Sequence, residues 1–198
     1  MSRKVVAVVG SYRRGGMTDA VVDAVLEGAR EKGAETHTVY LTEKHIEFCT
    51  NCRQCALTPG ETRGACVQQD DLQPMLAEIE SADALVLASP VNYGNTTAIF
   101  RRFLERISGT AYWPWGQAAP TSRSKVLPRK AVLLASSAMP GFLIPIMTGT
   151  RHALATAARL LGAHPVGSLW IGLASGEPHP VLTPRARERA RRLGWKLA

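Results

Sequence analysis

The sequence lacks the features that would place it in a membrane or an oxidising compartment. None of its 198 residues belongs to a run approaching the ~18 consecutive apolar residues of a membrane span. Its start passes directly into the segment Lys4 to Val9, without the longer apolar region of a signal peptide. Cysteine is scarce, and Cys49, Cys52 and Cys55 are too close together to staple distant segments as a disulfide framework. We therefore expect a soluble, cytoplasmic protein.

Acidic residues are also in short supply. The chain has 16 aspartates and glutamates against 24 lysines and arginines, a formal net charge of +8, which favours anionic ligands or partners. Much of the excess lies near the end of the sequence: Arg185, Arg187, Arg189, Arg191, Arg192 and Lys196. A solvated helix face accounts for that run. Because no recognised nucleic-acid motif accompanies it, nucleic acid is an unlikely partner.

Short apolar runs alternate with segments of helical periodicity along the whole chain. The runs predict five strands: Lys4 to Val9, Thr36 to Leu41, Ala84 to Ala88, about Ala131 to Ala135 and about Val166 to Ile171. Thr18, Asp70 and Thr183 are the predicted caps of three helices, with Pro184 at the first position of the last one. Parallel strands need crossover helices, so the pattern predicts an α/β fold, a three-layer doubly wound parallel sheet. We expect a single domain over 1–198, with a cysteine loop at 45–70 and an aromatic loop at 108–128 as insertions.

A glycine-containing loop follows the first strand and has the chemistry of an anion site. Gly10, Gly15 and Gly16 allow backbone amides to approach a ligand, while Ser11, Arg13 and Thr18 add donors and charge. Neither the GxGxxG nor the GxxxxGK[ST] pattern is matched, so a phosphate monoester is the favoured ligand. An ordinary glycine turn with a capping threonine remains an alternative.

Two segments resemble the NADPH-dependent FMN reductase and iron–sulfur flavoprotein families. Gly10-Ser11-Tyr12-Arg13 followed by Gly16-Met17-Thr18 is similar to their FMN phosphate loop. The segment 89–95 (SPVNYGN), followed by Arg101 and Glu105-Arg106, is similar to their second signature. The resemblance implies a flavodoxin-like fold with strand order 2-1-3-4-5, FMN as cofactor, NADPH or NADH as co-substrate, and a homodimer or higher homo-oligomer.

The resemblance also implies which residues contact the flavin. The phosphate would be held by Ser11, Arg13, Gly16, Met17 and Thr18. The flavin ring would be contacted by Pro90, Val91, Asn92, Tyr93, Gly94 and Asn95. Because ligands bind beyond the carboxyl ends of the strands, we also expect Ser137 and Gly141, from the loop after strand four, to complete the pocket around the ring or ribityl chain. Asn92 stands where the family usually has an aromatic residue. Alternatively, Asn95 caps the next helix, Tyr93 packs in the core, and the third loop is a plain turn.

The cysteines form one compact group. Cys49-x2-Cys52-x2-Cys55 followed by Cys66 resembles the arrangement in iron–sulfur flavoproteins, and four thiolates suit a 4Fe-4S cluster. The ten-residue gap before Cys66 is longer than the usual one. A structural zinc and free thiols in a substrate-side loop remain open.

These patterns predict an FMN-dependent NAD(P)H oxidoreductase that passes electrons to a quinone, flavin, ferric complex or similar small-molecule acceptor. No acid–base pair or Ser/His/Asp triad can be assembled, so no catalytic residue is assigned. Tyr112, Trp113 and Trp115 of the aromatic loop are candidates for a substrate mouth, a subunit contact or simple packing. Two other classes stay open: a non-enzymatic flavodoxin-like electron carrier, and a partner- or nucleic-acid-binding module using the basic last helix.

Overall fold

The computed structural model describes residues 2–123, 126–177 and 180–198; positions 124–125 of the aromatic loop lie outside the described residues. The strands are β1 Lys4–Val9, β2 Glu35–Tyr40, β3 Ala84–Asn92, β4 Asn95–Thr96, β5 Ala111–Tyr112, β6 Thr121–Ser122, β7 Arg129–Ser136 and β8 Ala163–Ile171. The five long strands form one parallel sheet in the order β2-β1-β3-β7-β8. This confirms the predicted fold and strand order.

The described residues form seven α-helices. They are α1 Met17–Glu31, α2 Gln54–Leu57, α3 Leu72–Glu80, α4 Ala98–Arg106, α5 Ile144–Met147, α6 Thr150–Leu160 and α7 Pro184–Trp195. Of these, α1, α3, α4, α6 and α7 cover the sheet. One core is formed on the face covered by α1 and α7, and a second on the face covered by α3, α4 and α6. No helix in the described parts of the chain is long and apolar enough to span a bilayer.

The central strands are apolar throughout because both of their faces are covered. In β1, Val6 and Val8 contribute to one core, whereas Val5, Ala7 and Val9 contribute to the other, and all five are fully buried. Successive side chains of a strand point to opposite faces, so a strand between two helical layers needs an unbroken apolar run.

The segment predicted as a flavin-ring loop is largely strand. β3 continues to Asn92, and β4 folds back on it with Val91 opposite Thr96. Tyr93 and Gly94 form the tight turn, with positive φ of 46° and 77°, as short hairpin turns require. Tyr93 is fully exposed, so the alternative that it packs in the core is wrong. Asn95 does not cap α4.

The structure gives different outcomes for the three helix caps predicted from the sequence. The N-cap position of α1 is occupied by Gly16 and not by Thr18. Helix α4 is capped by Thr97, whose hydroxyl accepts from Phe100 N at 3.3 Å. Asp71 occupies the N-cap position of α3, although the Asp70 carboxylate accepts from Leu72 N at 3.1 Å. The predictions for α7 are confirmed. Thr183 accepts from Ala186 N at 3.2 Å, and Pro184 is the first helical residue.

The last strand begins at Ala163, three residues before the predicted start. Pro165 lies opposite Ala131 and Gly167 opposite Val132, so Val166 is the extra residue of a bulge. A bulge accommodates a proline that cannot donate to the strand ladder.

Candidate functional site

A pocket of about 350 Å³ opens at the carboxyl edge of the sheet, where β1, β3, β7 and β8 end. Nine of the predicted contact residues line it: Ser11, Arg13, Gly16, Met17, Thr18, Pro90, Val91, Asn92 and Ser137. Five residues without a predicted role also line it: Tyr12, Ser136, Ala138, Ala174 and Ser175. The structure therefore brings the three predicted loops together and adds a fourth, the segment after β8.

The remaining predicted contacts lie outside the lining of this pocket. Tyr93, Gly94 and Asn95 belong to the hairpin tip, and Gly94 O accepts from Gly149 N at 2.9 Å. Gly141 packs against the end of β8, where an added Cβ would lie 2.4 Å from the Trp170 carbonyl oxygen. That close approach gives Gly141 a packing role.

The glycine loop is ordered by its own polar groups. The Ser11 hydroxyl donates to Arg13 O at 3.0 Å and accepts from Arg13 N at 3.2 Å. One N–H of the Arg13 guanidinium donates to Glu177 O at 2.9 Å, which ties this loop to the segment after β8. Arg14 is directed elsewhere, with its guanidinium over the Tyr40 ring and 2.9 Å from Glu43 Oε1. Arg13 is thus the cation of the loop that faces the pocket.

The N-terminus of α1 is the strongest anion-binding feature of the pocket. No side chain in the described residues caps this terminus, and Gly16, Met17 and Thr18 of its first turn line the cavity. Free amides and the helix dipole attract negative charge there. The Thr18 hydroxyl lies 2.8 Å from the Ser136 hydroxyl, and both residues are buried. Two hydroxyl groups therefore accompany the amides.

Asp19 supports the loop from behind. Its Oδ2 accepts from Gly15 N at 2.7 Å, and Gly15 has a φ of 68°. Its Oδ1 is buried and has no hydrogen-bond partner among the described residues. Burial raises the pKa of Asp19, although the Gly15 amide and the nearby Arg14 oppose this. The Asp19 carboxylate, hydrogen-bonded through one of its two oxygens, therefore stabilises the turn at Gly15 that shapes the anion site.

Helix α4 is anchored to the glycine loop at its first turn. Thr97 Oγ1 donates to Gly10 O at 2.5 Å, and the Tyr12 hydroxyl accepts from Ile99 N at 3.0 Å. Gly10 is required here, because an added Cβ would lie 2.8 Å from Phe100 Cβ. The helix then runs away from the pocket for nine residues, or ~13 Å at 1.5 Å per residue.

The four cysteines line a second cavity, of about 450 Å³, beside the last turn of α4. The cavity shares no lining residue with the first pocket. Its outer wall includes Trp113 and Trp115 from the aromatic loop, and the Arg53 guanidinium lies over both rings, 3.7 and 4.4 Å from their centroids. Trp113 N donates to Ala56 O at 2.8 Å. The two predicted insertions are therefore packed against each other.

Gly64 explains how the long gap before Cys66 is accommodated. An added Cβ at Gly64 would lie 1.8 Å from the Cys55 carbonyl oxygen, so only glycine fits. Gly64 N donates to Gly109 O at 2.9 Å. The gap thus folds tightly over Cys55 and returns Cys66 to the cavity.

Several sulfur atoms are approached by N–H donors, which is the environment of a thiolate site. Asn51 N donates to Cys49 Sγ at 3.4 Å, and Arg106 Nη2 donates to Cys66 Sγ at 3.4 Å. The Gln54 amide, aided by the Thr50 hydroxyl, lowers the pKa of Cys52. Burial, with the neighbouring thiols, raises the pKa of Cys55.

The backbone on either side of Cys52 is left-handed. Asn51 and Arg53 have φ of 55° and 59°, a conformation found in the amide concavities that hold phosphates and iron–sulfur clusters. All four cysteines are free thiols. Within residues 2–123, 126–177 and 180–198, no three metal-ligating side chains are already drawn together around one point. The four cysteines thus have the chemistry of cluster ligands, but they are not drawn together around one point.

Arg106 joins both ends of the cysteine segment. Its Nη1 lies 2.6 Å from Asp70 Oδ2 and 2.6 Å from Glu47 O, and its Nη2 contacts Asp70 Oδ1 and Cys66 Sγ. The side chains of Arg106 and Asp70 are 1% and 0% exposed. Burial opposes ionisation of Asp70, but hydrogen bonds from Arg106, Glu47 N and Leu72 N outweigh it and lower its pKa.

Most of the positive charge on α7 is paired. Arg187 lies 3.2 Å from Glu27, Arg191 lies 2.7 Å from Glu31, and Arg192 lies 2.9 Å from Glu188. The first two pairs connect α7 to α1. Ion pairs within the fold therefore account for half of the basic run.

Sequence reasoning missed Ala174 and Ser175 as lining residues. Both follow from the rule that ligands bind beyond the carboxyl ends of parallel strands. They lie just after β8. No local motif marks them, so the rule applied to all five strand ends was the available signal.

Comparisons with known proteins identify the family of the chain. A model of the NADPH-dependent FMN reductase family matches residues 3–177. An iron–sulfur flavoprotein of Archaeoglobus fulgidus is 35% identical over 122 residues, which are 62% of this chain and 50% of that protein. An iron–sulfur flavoprotein of Methanosarcina thermophila is 30% identical over 103 residues, which are 52% of this chain and 51% of that protein. The chain spans about half the length of the curated relatives it matches.

Solved structures show the same fold. An NAD(P)H:quinone oxidoreductase from Methanothermobacter marburgensis superposes with a TM-score of 0.70 at 21% identity, covering 100% of this chain and 96% of that one. A flavone reductase superposes with a TM-score of 0.66 at 20% identity, covering 98% and 61%. At these identities the likeness establishes architecture.

Proposed function

The chain belongs to the NADPH-dependent FMN reductase family, and from this we propose that it is an FMN-dependent NAD(P)H oxidoreductase with a small-molecule electron acceptor. The observation that carries the proposal is the uncapped N-terminus of α1, which opens on a pocket formed at four strand ends. A flavin mononucleotide has one terminal phosphate and one flat ring, and this pocket offers separate surfaces for each.

The residues suit the phosphate of FMN. The amides of Gly16, Met17 and Thr18 supply fixed donors, and Arg13 supplies charge. The Ser11 and Thr18 hydroxyls have rotatable hydrogens that can be redirected to an anion. We infer that these five residues hold the phosphate.

The ring would lie toward the end of β3. Pro90 and Val91 offer apolar contact, while Asn92 and Ser137 offer polar groups at its edge. Bound there, FMN would supply the redox chemistry of the reaction, accepting hydride from a nicotinamide donor and giving up electrons to the acceptor. The protein's part is to bind and orient, which is why no acid–base pair is required. Contacts from Tyr93, Gly94, Asn95 and Gly141 stay predictions.

The acceptor is proposed to be a quinone, a free flavin, a ferric complex or a similar compound. The relatives of the same fold that act on quinones and flavones support a planar organic acceptor. Steady-state oxidation of NADPH and NADH with each acceptor tests the proposal, and the Ser11→Ala/Thr18→Ala variant is the matched control for flavin dependence. Bound FMN without turnover from either donor would leave a flavodoxin-like carrier as the function.

We further propose that the cysteine cavity holds a 4Fe-4S cluster. Four free thiols, N–H donors directed at sulfur and the left-handed backbone around Cys52 support it. Cys49, Cys52, Cys55 and Cys66 would be the ligands. Iron and sulfide analysis of anaerobically purified protein tests this directly. Zinc without iron would identify a structural metal site, and absence of both would leave free thiols.

We also propose a cytoplasmic homo-oligomer. Free thiols fit a reducing compartment. Phe142, Ile146 and Met147 are 71%, 76% and 65% exposed within one short stretch, and exposed apolar clusters of this kind are covered in assemblies. Light scattering on a sizing column measures the state, and a monomer at micromolar concentration would remove the proposal.

A further inference from the structure

Cys66 differs from the other three cysteines because a buried charged side chain is hydrogen-bonded to it. Arg106 Nη2 lies 3.4 Å from Cys66 Sγ, and the Arg106 side chain is 1% exposed. The contact is therefore shielded from solvent, and the local field acts on sulfur with little screening.

The two terminal nitrogens of the guanidinium are both hydrogen-bonded, whereas Nε is buried without a partner among the described residues. Asp70 takes one N–H from each terminal nitrogen, with Nη1–Oδ2 at 2.6 Å and Nη2–Oδ1 at 3.3 Å. The second N–H of Nη1 goes to Glu47 O. The second N–H of Nη2 is left for Cys66 Sγ. In this bidentate geometry the direction of the N–H toward sulfur is determined by Asp70.

The pair of Arg106 and Asp70 is neutral overall, but its positive end faces the sulfur. Asp70 is additionally held by Glu47 N at 2.9 Å and Leu72 N at 3.1 Å, so the pair cannot reorient without losing several hydrogen bonds. The N–H donors of a cluster's ligands and the local charge set its reduction potential. A positive group beside a ligand sulfur stabilises the reduced, more negative state.

We propose that Arg106 is a positioning residue that raises the reduction potential of a cluster ligated by Cys66. Asp70 orients the guanidinium and partly offsets its positive charge. This rests on the cluster part of the proposed function. It assigns to the ion pair an electronic role in addition to closing the cysteine segment.

The test uses the full chain, reconstituted anaerobically with ferrous iron and sulfide. The cluster and flavin couples are measured by redox titration followed by electron paramagnetic resonance and visible absorption. Asp70→Asn/Arg106→Gln removes both charges and keeps one carbonyl oxygen at position 70, so one of the two amides bonded to Asp70 retains its acceptor. We expect its cluster potential to fall at unchanged iron content, while the flavin couple stays at its wild-type value.

Two single variants give the sign of the effect. Asp70→Asn leaves the positive charge without its counter-charge, so we expect the cluster potential to rise. Arg106→Lys keeps the charge, but one ammonium group cannot serve Asp70 and Cys66 as two nitrogens do, so we expect a smaller fall. A purely structural role predicts iron loss with unchanged potential in the remaining clusters. Where the double variant yields no folded chain, Arg106→Lys, which keeps a positive charge beside Asp70, decides the sign.

Equal potentials in the wild type and every folded variant would overturn the proposal. Wild-type protein that binds FMN but no iron would also overturn it, while leaving the reductase assignment intact. Protein without FMN or NAD(P)H oxidation would instead contradict the proposed function itself.

Discussion

The hydroxyl groups of Thr18 and Ser136 lie 2.8 Å apart in the pocket, although 118 positions separate them in the sequence. One comes from the first turn of α1 and the other from the last residue of β7. Their contact joins the glycine loop, which a sequence motif identified, to Ser136, which no sequence motif marks.

Replacing these hydroxyls should weaken flavin binding. A net hydrogen bond contributes about 1 kcal/mol, so Thr18→Ala and Ser136→Ala should each lower FMN affinity roughly fivefold. The Ser11→Ala/Thr18→Ala variant should lose more, and it should purify with little flavin. Fluorescence titration of flavin-free protein measures the dissociation constant. Ser81→Ala, an exposed residue just after α3, is the control and should bind as wild type does; unchanged affinity in all the pocket variants would place the flavin elsewhere.

Gly10→Ala should damage stability and flavin binding together. The new Cβ would meet Phe100 Cβ at 2.8 Å and Thr97 Oγ1 at 3.2 Å, and overpacking of this kind costs about 1–3 kcal/mol. Thermal unfolding and the flavin-to-protein ratio measure the two effects. At Gly176 an added Cβ would meet none of the described residues within 4 Å, so Gly176→Ala should melt at the wild-type temperature. A Gly10→Ala variant as stable as that control would contradict the close contact.

Asp70→Asn should be strongly destabilising at neutral pH, by about 3–5 kcal/mol, because it leaves Arg106 charged and buried. Since folding lowers the pKa of Asp70, the stabilisation is present above its ordinary value of 3.8 and is lost as pH falls through the lower folded value. The difference between variant and wild type in urea unfolding should therefore shrink in that acidic range. The exposed pair of Arg14 and Glu43 gives the control, and Glu43→Gln should cost less than about 1 kcal/mol.

Asp19→Asn should have the opposite sign. Burial raises the pKa of Asp19 above 3.8, so ionisation costs stability, and the cost grows as pH rises from 3.8 through the folded value. The asparagine Oδ1 can still accept from Gly15 N. Urea unfolding at pH 7 should show a gain for the variant that disappears below pH 3.8. Glu61→Gln, at an exposed position, is the control and should change the free energy of unfolding at pH 7 by no more than about 0.5 kcal/mol; a loss of stability for Asp19→Asn at pH 7 would refute the assignment.

The alternation of strands and helices could be predicted because its signals are local and redundant, whereas the strand order followed from the family resemblance. Each buried strand contains a short apolar run, and each crossover helix has its own periodicity. The start of α7 shows the same property, since Thr183 and Pro184 act where the sequence places them. The glycine loop could be identified for a similar reason. An added Cβ at Gly10 would clash with Phe100, and Gly15 has a positive φ that glycine adopts without strain.

What could not be predicted depends on contacts between distant positions. The hairpin at Tyr93 and Gly94 was taken for a loop, because a two-residue β4 has too few residues to show alternation. Thr18 looked like a helix cap until Ser136 was seen beside it. The pairing of Asp70 with Arg106 cannot be deduced from spacing, since it requires the cysteine segment to cross the end of α4.

Helix α4 connects the two candidate sites, which are separate cavities. Its first turn holds the glycine loop through Thr97, its last residue holds the cysteine segment through Arg106, and the cavities have no lining residue in common. Substitutions can therefore accumulate at one end while the other keeps its chemistry. A variant of this chain without its four thiols would keep the pocket at the strand ends, so the site of one proposed cofactor can be lost through changes confined to a single segment.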